Sequence, residues 1–124
     1  MGDIKTHKDL KVYQKSFENG MAVFKLSKQF PAEERYSLTD QIRRSSRSVS
    51  GNLAEAWRKR RYTKSFIAKL SDAEGEAAET QTWLDYSLAC NYIDKEEHDR
   101  IYREYDNLLG MIVNMINGSD KWTL

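Results

Sequence analysis

The sequence predicts an all-α protein, an up-down-up-down antiparallel four-helix bundle, and three observations carry that expectation. Apolar residues recur at steps of three and four along most of the chain, no alternating strand-like run persists, and proline occurs once, at Pro31. A chain of 124 residues is sized for one domain, and a hydrophobic content of 40% supplies a core for it. No apolar run approaches the roughly 20 residues of a membrane span, and the opening Met-Gly-Asp-Ile-Lys lacks a signal peptide's apolar stretch. A single cysteine, Cys90, cannot form an internal disulfide, which suits a reducing, cytoplasmic setting.

The elements follow in order. The first helix is expected over about 9–29, with Asp9 as its N-cap and Leu10, Tyr13, Phe17, Met21 and Phe24 on its inner face. Phe30-Pro31 ends it, because the residue before proline avoids helical geometry. The second helix, over about 37–60, is capped by Ser37 or Thr39 and turns Leu38, Ile42, Ser45, Val49, Leu53 and Ala56 to one face. Tyr62-Thr63 interrupts the pattern, and Thr63 caps a third helix over about 64–89. Its Phe66, Leu70, Ala73, Ala77, Thr80, Leu84 and Leu88 keep a near-heptad spacing. Asp94-Lys95-Glu96-Glu97 reads as a capping box that opens the fourth helix, over about 95–116. That helix packs on Ile101, Tyr105, Leu108, Ile112 and Met115, and Asn117-Gly118 stops it. Short connections between helices of this length favour antiparallel neighbours. The tail, Ser119–Leu124, is short, and its Trp122 is a candidate for docking.

Charge is unevenly shared. Residues 1–64 hold 15 Lys+Arg against 7 Asp+Glu, a net +8, whereas residues 65–124 hold 5 against 12, a net −7. The whole-chain value of +1 conceals this. Such a split points to an anionic partner for the basic half, or to head-to-tail association of copies.

Catalytic and metal chemistry find little support. His7 and His98 lack the Glu-x-x-His pairing of a di-iron bundle, with Ile4 and Lys95 three places before them. Cys90 has no Cys or His at metal spacing, and Ser45, Ser46, Ser48 and Ser50 sit in no nucleophile elbow. Ser-Val-Ser-Gly-Asn lacks the lysine of a phosphate loop. No catalytic residue, metal or cofactor is expected, and the chain reads as a non-enzyme.

Two clusters read as binding surfaces. Arg58-Lys59-Arg60-Arg61 with Lys64 is the densest charge in the chain and suits phosphate contact without base reading, or else a solvated corner. Trp57 and Tyr62 flank it and could stack on exposed bases. Lys5, Lys8 and Lys11 should reach the same end of an up-down bundle and join this candidate nucleic-acid surface. A second set fits contact between copies. Asp72, Glu76 and Glu79 form an acidic stripe continued by Trp83, facing arginines of a neighbour or simply water. Asp40, Arg43, Arg44, Arg47, Asn52 and Glu55 lie on the second helix, where local i,i+3 and i,i+4 pairing is the simpler account of Asp40 with Arg43 or Arg44. Ser48, Gly51 and Ala54 leave the helix surface beside them nearly bare, open to a close approach.

Asp9-Leu10-x-Val12-Tyr13-Gln14-x-Ser16, Phe30-Pro31-x-Glu33-Glu34-Arg35-Tyr36-x-Leu38-Thr39-Asp40-Gln41-Ile42-Arg43-Arg44 and Ser48-Val49-x-x-Asn52-Leu53-Ala54-Glu55 follow one another at family spacing. In these motifs the chain resembles the 23S rRNA-intervening-sequence protein family, and through it the accessory variability determinant proteins of diversity-generating retroelements. Ser50 and Ala56 depart from the pattern, which usually has a proline and a glycine there. The resemblance implies a four-helix bundle assembled into a homopentamer. It also implies nucleic-acid binding, RNA or DNA, through basic surfaces, and association with a reverse transcriptase as an accessory protein. The alternative from the residues themselves is a protein-interaction scaffold whose arginines are consumed between subunits.

Overall fold

A computed structural model of the chain describes residues 3–124. Helix α1 spans Lys11–Ser27, α2 Leu38–Arg58, α3 Thr63–Ala89 and α4 Lys95–Asn117, and no strand occurs among the described residues. Short 3-10 turns cover His7–Asp9, Ala32–Glu34 and Ser119–Lys121.

Contacts between helices give their directions. Ser16 meets Ser50 and Ser27 meets Arg43, so α1 and α2 run antiparallel. Ser45 with Thr80, and Glu55 with Lys69, set α2 antiparallel to α3. Gln81 with Asp106, and Asp85 with His98, do the same for α3 and α4. Lys15 with Glu104, and Gln29 with Glu97, close α4 against α1. The fold is the expected up-down bundle.

The expected inner faces hold in α2, α3 and α4. Ile42, Val49, Phe66, Leu70, Leu84, Leu108 and Ile112 are fully buried, and only Leu88, near the end of α3, is half-exposed. Tyr105 is also fully buried with its hydroxyl unpartnered, and burial pushes that hydroxyl's pKa up. Buried Thr80 donates to the Glu76 carbonyl at 2.9 Å and lies 2.8 Å from the Ser45 hydroxyl, so neither polar group is stranded in the core.

The first helix departs from expectation. Asp9 caps nothing in α1: its carboxylate accepts from the Lys5 and Thr6 amides at 2.8 and 3.0 Å, while Thr6 caps the 3-10 turn and Leu10 precedes the helix in extended geometry. The inner face is Val12, Ser16, Asn19, Val23 and Leu26, with Leu10 buried at its entrance. Phe17 is 54% exposed and Met21 43%, while Tyr13 and Phe24 are half-buried. The cause is close packing on α2: the Ser16 and Ser50 hydroxyls are 2.9 Å apart, and a Cβ on Gly20 would stand 3.8 Å from the Ser46 carbonyl oxygen. An aromatic ring has no room in that seam. On the side of α1 that faces α4, buried Asn19 is satisfied by donating its amide to the Glu104 carbonyl.

The caps differ in detail. Ser37 holds the N-cap position of α2 without a side-chain bond; the Glu34 carboxylate accepts the Leu38 amide at 3.1 Å instead. The same carboxylate accepts the Tyr92 hydroxyl, and this bond, with burial, pushes the Tyr92 pKa up to about 12. Thr63 is the first residue of α3 and Tyr62 its N-cap. Asp94 caps α4 by accepting the Glu97 amide at 2.8 Å, but the Glu97 carboxylate turns to Gln29 rather than back, leaving half a capping box. Asn91, at φ 62°, supplies the left-handed residue that turns α3 into α4.

His98 ties α4 to α3. Its Nε2 lies 2.7 Å from Asp85 and its Nδ1 2.8 Å from Asp99, whose carboxylate also takes Lys95. Both ring nitrogens donate only in the imidazolium. Burial opposes that charge, but the hydrogen bonds to Asp99 and Asp85 outweigh it and raise the pKa above its ordinary value of 6.5. Stability from this raised group is fully present below pH 6.5 and is lost as pH rises through the folded-state pKa. Urea midpoints measured from pH 6.5 upward should therefore fall more for the parent than for His98→Gln. Parallel curves would rule the clamp out.

Candidate nucleic-acid interface

The basic run straddles a tight corner. Helix α2 ends at Arg58, two residues earlier than expected, and the Lys59 amide caps it on the Glu55 and Ala56 carbonyls. The Tyr62 amide donates to the Lys59 carbonyl at 2.9 Å, and the Tyr62 carbonyl accepts the Phe66 amide at 2.9 Å. The cations therefore fan out around a turn instead of along a helix. Arg58, Lys59, Arg61 and Lys64 are exposed, and none joins an ion pair among the described residues.

Arg60 is set apart. Its guanidinium lies over the Trp57 ring, 3.5 Å from the centroid, and its Nε donates to the Trp57 carbonyl at 2.9 Å. Burial, and then the neighbouring Arg58 charge, lower its pKa from the ordinary arginine value. Trp57 is itself only 6% exposed, with Trp122 against it edge-on at 6.4 Å. The tail docks as anticipated, and the Leu124 amide donates to the Arg60 carbonyl at 3.0 Å. Trp57 is thus an anchor for the corner, and the base-stacking role expected of it falls away. A hollow of about 380 Å³ remains between Trp57, Arg58, Arg60, Arg61, Tyr62 and Leu124.

Lys5, Lys8 and Lys11 lie at this same end, because the His7–Asp9 turn packs against α2 and because Lys11 shares a groove with Trp122. All three are exposed and absent from the ion pairs of the described residues. The two basic groups lie at one end of the bundle, with the docked tail beside both: Trp122 shares the groove of Lys11, and Leu124 bonds to Arg60.

The residues expected at a subunit contact divide over two flanks. Toward α1, Arg43 donates to the Ser27 hydroxyl at 2.7 Å, and its guanidinium and that of Arg47 lie over Phe24. Toward α3, Arg44 pairs with Asp40 at 3.2 Å, and Glu55 pairs with Lys69 at 2.7 Å. A hydrogen bond from Glu76, with burial, raises the Glu79 pKa, while Arg44 opposes the rise. Asp72 is exposed, and Trp83 packs against exposed Tyr86 at 5.9 Å. Asn52 turns its amide back to the Ser48 carbonyl, and a Cβ on Gly51 would meet nothing of its own chain within 4 Å. Sequence reasoning missed the outer face of α1, where Tyr13, Phe17, Met21 and Phe24 border a hollow of about 250 Å³ beside Arg47. Its signal was the second periodic face of that helix.

Cys90 is exposed, and among the described residues no three His, Cys, Asp or Glu side chains converge as metal ligands. No helix among them is long and apolar enough to cross a membrane.

The family model described as 23S rRNA-intervening sequence protein matches residues 8–114. A crystal structure of a protein with unknown function from the S23 ribosomal protein family of Bacteroides thetaiotaomicron is similar in fold, with a TM-score of 0.77 and 29% sequence identity. The likeness covers 85% of this chain and 97% of that one. No curated protein matches the chain.

The corner separates two neighbouring arginines by role. Arg60→Ala, losing the ring contact and the carbonyl bond, should cost about 1–2 kcal/mol in urea unfolding. Arg61→Ala should stay within about 0.5 kcal/mol of the parent. Equal effects would contradict the stacked arrangement.

Proposed function

This chain belongs to the 23S rRNA-intervening sequence protein family, and from that premise we propose a non-enzymatic homo-oligomer that holds RNA or DNA by its phosphates. The observation that carries this reading is a single basic end. There Arg58, Lys59, Arg61 and Lys64 stand exposed without ion pairs among the described residues, and Lys5, Lys8 and Lys11 lie at the same end. Cations on phosphates release condensed counterions, which gives affinity without sequence preference. In that role the protein serves as an accessory subunit of a nucleoprotein complex, a reverse-transcriptase complex included.

The oligomer follows from the surfaces left uncovered. On one copy the outer face of α1 joins apolar Phe17 and Met21 to Arg47; on the next, α3 offers Asp72, Glu76, Glu79 and Trp83. A contact between two such different faces is head-to-tail and closes into a ring when its rotation allows. The pentamer that the resemblance implies is one such ring, and it would repeat the basic end around an axis, multiplying a weak patch by avidity.

Two measurements test this reading. Light scattering should give a mass several times 14.5 kDa. Phe17→Glu/Met21→Glu should lower that mass with helicity unchanged, since both side chains are exposed; a parent of monomer mass would end the oligomer proposal. For binding, Arg58→Ala/Lys59→Ala/Arg61→Ala/Lys64→Ala should weaken nucleic-acid affinity equally on unrelated sequences. It should also flatten the dependence of log K on log salt by about 0.9 per lost duplex contact. An unchanged slope and affinity would leave these residues as a solvated corner. A parent that binds nothing at low salt would favour the scaffold alternative.

A further inference from the structure

We infer that the basic end prefers single-stranded to duplex nucleic acid, with the Tyr62 ring stacking on one unpaired base while Arg58 and Arg61 hold phosphates beside it. The inference rests on the phosphate-binding reading above and adds to it the class of nucleic acid.

Tyr62 is 64% exposed at the α2–α3 corner. Tyr62 belongs to none of the ring pairs or cation–ring contacts among the described residues, so its face is free for a ligand. Its backbone is held at both ends, by the Lys59 carbonyl and by the Phe66 amide, so little ordering of the main chain opposes binding. The other highly exposed rings stand in different company. Tyr36 carries Arg35 on its face and follows Glu33 and Glu34, Tyr86 pairs with Trp83 beside Asp85, and Phe17 lies next to Glu18. Tyr62 alone of these borders several arginines with no Asp or Glu side chain among them, in a hollow of about 380 Å³ that Trp57 and Leu124 complete.

That hollow is at the small end of ligand-pocket sizes, which suits one base and not the width of a duplex. In a duplex the base faces are already stacked on one another, so only phosphates remain for contact. An unpaired base offers a free face, and any base will serve, because every base has one. Trp57 cannot share this work, being covered by Arg60 and Trp122. The preference therefore depends on one side chain.

Fluorescence anisotropy on a mixed-sequence DNA strand, alone and annealed to its complement, tests the inference. Tyr62→Ala should weaken binding of the strand about tenfold, within the range for one base–aromatic stack, and leave duplex binding unchanged. The salt slopes should not move, because no cation is removed. Tyr62→Phe should retain the parent's preference, since the ring and not the hydroxyl makes the contact. Circular dichroism checks that each variant keeps its helicity. If the parent binds strand and duplex equally, or Tyr62→Ala binds the strand as tightly as the parent, the inference is overturned while phosphate binding stands. If the parent binds neither form, both fall together.

Discussion

The close seating of α2 between α1 and α3 is the constraint from which the other features follow. Its seam is made of hydroxyls and small side chains: Ser16 on Ser50, Ser45 on Thr80, and Gly20 over the Ser46 carbonyl. Small residues let backbones approach, and hydroxyls in such a seam keep their hydrogen bonds by turning to carbonyls one turn back, as Ser16, Ser46 and Thr80 do. The large apolar side chains of α1 are consequently displaced outward. A bundle packed this way is left with an apolar flank to cover, which is how an internal packing decision becomes the basis of the proposed self-association.

The same seating sets the geometry of the basic end. Where α2 finishes, Trp57 turns inward and Trp122 closes on it, so the corner is fixed by aromatic packing and not by charge. Arg60 is the cation used in that packing, its stem and head spread over an indole. The others are left facing water with like charges for neighbours. Such crowding opposes folding, and within the chain only Glu55, near Lys59, is seen to offset it; an external anion does so directly. That asymmetry between one structural arginine and several unpaired cations is the physical content of the proposed binding role.

Legibility in the sequence varied with how local the deciding interaction was. The inner faces of α3 and α4 could be read because one apolar period dominates each, Phe66 to Leu84 and Ile101 to Met115. In α1 two faces share the helical period, and the one with larger apolar residues, Tyr13 to Phe24, is the outer one. Choosing between them requires the width of the seam on α2, which is tertiary information. At the basic end, the placing of the cluster at the same end as Lys5, Lys8 and Lys11 was legible from position and topology. The removal of Arg60 and Trp57 was not: Trp57 is covered by Trp122, far away in the chain, and only a Trp57 so fixed at the turn ending α2 gives Arg60 a ring to lie on.

The charge split has a related consequence. Few ion pairs inside the bundle bridge the basic and acidic halves of the chain: Lys15 with Glu104 does, while Arg44 and Asp40 pair within the basic half. The pair of Glu55 with Lys69 even takes its acid from the basic half and its base from the acidic one. Folding therefore leaves most of the imbalance unspent. At physiological salt, charges farther apart than about 8 Å are largely screened, so the imbalance acts through direct contact and not through a long-range field. The two surfaces also lie apart: most of the unpaired cations crowd the bundle end, while the acids run along the flank of α3. A ring joined along its flanks would use Asp72, Glu76 and Glu79 without covering Arg58 or Arg61. Self-association and phosphate binding then draw on different parts of one uneven charge distribution and need not compete.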